Sequence, residues 1–161
     1  MYFTIDLKNI TNGYLNIQNL KKINYCSKNI PFDLIEDNRN NNISCENQLI
    51  AIKSKNVKSL YLLGHSEISY FNDEITLFYK DESIDICTFL IKVSNKNYRI
   101  DNTDWLYINN NRCYEYYKFG DENKLYVVYI KINNKYDIEL EYLKLPYNPN
   151  IYIYSITYEI I

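Results

Sequence analysis

Residues 71–93 read FNDEITLFYKDESIDICTFLIKV, and this stretch decides the fold. Within Glu74–Tyr79, the apolar Ile75, Leu77 and Tyr79 recur at every second position. That is the period of a half-buried strand and not of a helix. Lys80-Asp81-Glu82-Ser83 then turns the chain into a second apolar run, Ile84–Val93. Two such runs around a polar turn predict an antiparallel hairpin.

The same grammar extends in both directions. Upstream, the unbroken apolar run Ser59–Gly64 predicts a central strand buried on both faces. Ile43–Ile52 predicts one or two short strands, and Tyr2–Leu7 a first strand. Ile30–Ile35 reads as a short edge strand, with Pro31 tolerated near its start. Residues 8–29 are polar and irregular, with a turn at Gly13, and Asp37–Asn42 reads as an Asn-rich loop. Downstream, Tyr114–Phe119 and Leu125–Ile132 flank a turn at Gly120–Asn123, and Asn133-Asn134 makes the next turn. Ile138, Leu140 and Tyr142 alternate with Asp137, Glu139 and Glu141, which predicts a strand with one wet face. Ile151–Tyr158 closes the chain. About nine or ten short strands at this spacing specify an all-β, antiparallel β-sandwich or barrel.

Composition bounds the rest. A length of 161 residues fits one domain, residues 1–161. The net charge is −2, and the only tight basic pair is Lys21-Lys22, so no nucleic-acid partner is expected. No apolar run is long enough for a membrane helix, and no membrane partner is expected. Met1–Asp6 opens without a basic segment and an apolar core, so a cytoplasmic protein is expected, secreted only if a leader was removed. The 19 Tyr, with abundant Asn, Ile and Lys, fit the codon bias of an AT-rich bacterial genome. Cys26, Cys45, Cys87 and Cys113 form no CxxC pair, and a single His cannot complete a zinc site, so four reduced thiols are expected.

Several phrases carry a resemblance. IPFDL (30–34), NNISCENQLI (41–50), SLYLLGHSE (59–67), FNDEITLFYKDES (71–83), Asp104-Trp105 and LPYNPNIYIYSITYE (145–159) follow one another in order. Together they resemble the non-catalytic, galactose-binding-like jelly-roll modules that accompany glycoside hydrolases in Firmicutes. Asn47 stands where that pattern carries Gly. The resemblance implies a jelly-roll sandwich and a carbohydrate ligand.

The residues offer little for catalysis. His65 is the only His, in Gly64-His65-Ser66-Glu67 at the end of the central strand, where a cap or turn role is expected. The adjacent acids Asp73-Glu74 and Asp81-Glu82 point to opposite faces of a strand and do not converge on one substrate. No enzyme is therefore expected. For sugar binding, Trp105, Tyr107, Arg112, Tyr114 and Tyr116 supply aromatic faces and a bidentate donor, and His65 completes the candidate set. Trp105 either lines an open groove or plugs the core between the sheets. No cofactor is expected, apart from a structural calcium ion drawing on Asp33, Glu36 and Asp37 or on Asp101 and Asp104. Tyr152, Tyr154 and Tyr158 are expected on one face of the last strand, either as core or as a homo-oligomer interface. Two functions follow: a non-catalytic carbohydrate-binding-like module with a glycan partner, or a structural or protein–protein interaction sandwich without sugar binding.

Overall fold

The computed structural model describes residues 1–16, 21–22, 29–35, 39–94, 112–119, 123–132, 135 and 137–161. Among these the secondary structure is β throughout, in eleven strands. They are β1 (Tyr2–Thr4), β2 (Lys21–Lys22), β3 (Ile43–Glu46), β4 (Leu49–Ser54), β5 (Val57–Ser66) and β6 (Phe71–Tyr79). β7 (Ile84–Ile91), β8 (Arg112–Phe119), β9 (Asn123–Lys131), β10 (Leu140–Lys144) and β11 (Tyr147–Ile160) follow.

The strands form two antiparallel sheets. A seven-stranded sheet runs β1-β11-β5-β9-β8-β2, with β3 also paired to β11, and a four-stranded sheet runs β4-β10-β6-β7. The expected hairpin is β6–β7, in register from Phe71↔Ile91 to Phe78↔Ile84. Inward residues of both sheets make one core: Leu60, Leu62, Val128, Ile130 and Ile153 from the large sheet meet Ile75, Leu77, Phe89, Ile91, Leu140 and Leu143 from the small one. This is the β-sandwich that the alternation called for. The chain passes between the sheets at the β3–β4 corner, where Asn47 takes φ 64°. Asn tolerates that left-handed conformation better than most side chains.

The second face of β5 is buried too. Tyr61 and Leu63 join Leu125, Val127, Tyr154 and Ile30 in an outer cluster on the far side of the large sheet. Leu15, Phe32 and Leu34 pack over it. Leu15, Ile30, Phe32 and Leu34 thus act as a partial third layer, which explains the unbroken apolar run in β5.

Four expectations change. Ile30–Ile35 is not a strand. Pro31 lacks an N–H, and the segment lies across the sheet face instead of along an edge: the Thr157 hydroxyl donates to the Pro31 carbonyl at 2.5 Å, and the Asp33 N–H donates to Ser155 Oγ at 3.1 Å. Asn41 and Asn42, the last residues of the expected Asn-rich loop, are buried, and Asn42 bridges Gly13. In β10 a register shift between Leu140 and Tyr142 breaks the alternation, so Leu140 and Leu143 face the core and Tyr142 does not. In β11 a register shift between Ile153 and Ser155 splits the tyrosines. Tyr152 and Tyr154 pack into the outer cluster, whereas Tyr158 packs against the inner core.

Candidate functional site

The register of β11 on β5 pairs Tyr152 with His65. Glu67 follows β5 directly, and its backbone N–H donates to the Asn150 carbonyl at 3.0 Å, which holds it beside the same strand end as His65. His65 lies inside the strand and not in a turn, and it is 4% exposed. Its ring stacks on Tyr152 at 5.3 Å and on Tyr154 at 5.6 Å, with interplanar angles of 22° and 25°. The Tyr152 hydroxyl donates to Glu67 Oε2 at 2.8 Å.

His65, Glu67 and Tyr152 line a pocket of about 260 Å³ on the outer side of the large sheet. Tyr14 and Leu15 of the N-terminal layer, Ser94 after β7 and Asn123 at the start of β9 complete it. Ser94 is clamped by its backbone. Its N–H donates to the Ser66 carbonyl at 3.0 Å, and its carbonyl accepts from the Lys124 N–H at 3.1 Å. Its hydroxyl is buried and makes no hydrogen bond among the described residues. Asn41 holds the opposite wall: its Nδ2 donates to the Leu15 carbonyl at 2.8 Å, and its Oδ1 accepts from the Leu15 N–H at 3.2 Å.

Burial fixes the protonation states. It lowers the His65 pKa to about 4, so the imidazole is neutral at neutral pH. Burial, then the hydrogen bond to Glu67, raises Tyr152 to about 12. The pocket is lined by Glu67, the Tyr152 phenol and the neutral His65 imidazole beside an aromatic stack, and the Ser94 hydroxyl is buried in its wall. It does not present a wired nucleophile. Ser94 Oγ makes no bond to His65, and Glu67 is engaged by Tyr152. A Ser–His nucleophile needs those links.

The other sequence candidates are not gathered here. Trp105 and Tyr107 lie outside the described residues, as do Glu36, Asp37, Asp101 and Asp104. Arg112 and Tyr114 are on β8, opposite Tyr129 and Val127, and Tyr116 falls at the register shift between Glu115 and Tyr117. Tyr129 in turn faces Tyr61. Arg112 is thus two strands across from β5 and level with a residue four positions from His65, about 13 Å along the strand at ~3.3 Å per residue. Cys45 and Cys87 are free thiols. Burial pushes both pKa values up, Cys87 to about 11, and neither lines the pocket. Among the described residues no group of three His, Cys, Asp or Glu side chains could hold a metal ion. Among them, too, no helix is long and apolar enough to cross a membrane.

Sequence reasoning named His65 and Tyr152 but missed Glu67, Ser94, Asn123 and the Tyr14–Leu15 wall. The one available signal was a polar Glu67 placed just past the end of the apolar strand that carries His65.

Comparison with curated proteins finds no match. Comparison with protein families matches residues 21–160 to the AziU2-like beta-sandwich domain. The matched span includes His65, Glu67, Ser94, Asn123 and Tyr152, and it starts after the Tyr14–Leu15 wall. The chain belongs to the AziU2-like beta-sandwich domain family.

Proposed function

We propose that this domain is a non-catalytic, carbohydrate-binding-like module whose ligand sits in the pocket between Tyr152, Glu67 and Ser94. The meeting of an aromatic ring with polar side chains in one pocket carries the reading. Glu67 and the Asn123 amide can read hydroxyls, and the Tyr152 ring can lie against sugar C–H surfaces. The volume is below the ~300–1,000 Å³ usual for ligand pockets, so it suits a single ring rather than a chain. Among the described residues one carboxylate lines it, whereas glycoside hydrolysis uses two. The sandwich and the galactose-binding-like resemblance support the same reading by analogy alone. Calorimetric titration with monosaccharides tests it. Saturable heat that disappears in Glu67→Gln and Tyr152→Ala supports it, and no heat with any sugar argues against it.

A second reading, a protein-interaction sandwich, is favoured by Ile84 and Ile86, 54% and 64% exposed on the sheet-edge strand β7. Light scattering over a concentration series tests it. A dimer that Ile86→Lys converts to monomer supports it, and a monomer at all concentrations argues against it.

A further inference from the structure

The outer face of the four-stranded sheet holds a second, separate groove. Its floor follows from register. Tyr142 pairs with Ala51 on one side and Phe78 on the other, and Phe78 pairs with Ile84. The four residues make one row across all four strands. A groove of about 350 Å³ runs over Tyr142 and Phe78 of this row, between Leu49 and Ile84.

Two carboxylates also line it, Glu82 and Glu141. Each is delivered by a local break in regular structure. Glu141 is the extra residue of β10 relative to β6, since Leu140 pairs with Tyr79 and Tyr142 with Phe78. Such a bulge turns Glu141 and Tyr142 to the same side while Leu140 and Leu143 stay in the core. Glu82 has φ 65° in the β6–β7 turn. The neighbouring acids are already compensated: Glu139 by Lys80 at 3.9 Å and Asp85 by Lys135 at 2.9 Å. Lys135 also donates to Ser83 Oγ at 3.1 Å and lies 4.6 Å over the Tyr79 ring, which leaves Phe78 and Tyr142 as the groove's aromatic residues for a ligand. Among the described residues, Glu82 and Glu141 have no such ion pair. Lys144 is on the same strand as Tyr142 but does not line the groove.

We propose that this groove binds a small organic cation with an apolar body, an alkylammonium or guanidinium compound. The charge complementarity selects it. Aromatic faces attract cations through the ring quadrupole, and two uncompensated carboxylates deepen that field. A neutral ligand of the same shape would desolvate both carboxylates without replacing their water. The apolar walls at Leu49 and Ile84 take the body of the ligand. The site is independent of the His65 pocket, which lies on the other sheet.

The test is a titration of the full chain with benzyltrimethylammonium, followed by backbone amide NMR, with benzyl alcohol as the neutral counterpart. The expected result is saturable shifts centred on Phe78, Tyr142 and Ile84, weakened about tenfold or more in E82Q/E141Q and for benzyl alcohol. Rising ionic strength weakens the binding as well, which needs no variant. Equal binding of benzyl alcohol, salt-independent binding, unchanged binding by a folded E82Q/E141Q, or no shifts at the groove would each overturn the proposal.

Discussion

The carbonyl oxygen of Tyr152 occupies the space that a Cβ on Gly64 would need. Ile153 Cδ1, at 2.9 Å, and Ile91 Cδ1, at 3.3 Å, close the same space from the core side. Gly64 sits opposite Ile153, where the β11 register shifts. The close approach of β5 and β11 therefore brings the Tyr152 ring over His65.

Gly64→Ala is expected to destabilise the fold by about 1–3 kcal/mol, because the obstacle is backbone and cannot rotate away. It is also expected to disturb the pocket. Denaturant unfolding measures the first effect, and the chemical shift of the His65 imidazole the second. An unchanged midpoint would mean that the strands are farther apart.

Leu62 and Leu63 are both fully buried, Leu62 in the inner core and Leu63 in the outer cluster. Leu62→Ala and Leu63→Ala are each expected to cost about 2–5 kcal/mol. A loss under about 0.5 kcal/mol at Leu63 alone, the range of surface changes, would mean that the N-terminal layer does not cover the sheet.

His65 is the only histidine, so its titration can be followed without ambiguity. NMR is expected to place its pKa near 4, lowered from 6.5 by burial. The sign follows from proton counting. Between those two values the unfolded chain binds a proton that the folded chain does not, so the folded state loses stability as pH falls through that window. At 1.36 kcal/mol per unit the loss is about 3 kcal/mol. Unfolding of wild type and His65→Gln across pH 4 to 7 isolates it. A pKa at 6.5 would mean a solvated ring.

Asn41 holds both backbone polar groups of Leu15 and touches no ligand in the proposed site. Asn41→Ala is expected to cost about 1–3 kcal/mol by leaving those groups unpaired. It is also expected to loosen the Tyr14–Leu15 wall, so that limited proteolysis cuts within the first 40 residues before wild type is cut. Identical protease sensitivity would remove the wall from the description of the pocket.

The parts of the fold legible in the sequence were those that depend on local periodicity. Ile75, Leu77 and Tyr79 announced β6, and the Ser59–Gly64 run announced a strand covered on both faces. What escaped depends on departures from period two. Alternation alone puts Tyr152, Tyr154 and Tyr158 on one face, and an extra residue near Ser155 moves the last of them to the other. The same blindness hid Glu141 beside Tyr142. Gly64 within an apolar strand was a readable sign of close backbone approach. The pocket was harder to see, because His65, Ser94, Asn123 and Tyr152 come from distant segments that only the sheet order brings together. Ile30–Ile35 has the composition of a strand, and its side-chain anchors on Ser155 and Thr157 leave no trace in its own sequence.

The most direct measurement follows the imidazole signals of His65 while a panel of soluble mono- and disaccharides is titrated into the full chain. The expected result is a saturable shift with at least one sugar, abolished by Glu67→Gln in folded protein. A His65 resonance indifferent to every sugar, or binding that leaves it unmoved, would contradict a ligand site at the stacked Tyr152–His65 pair.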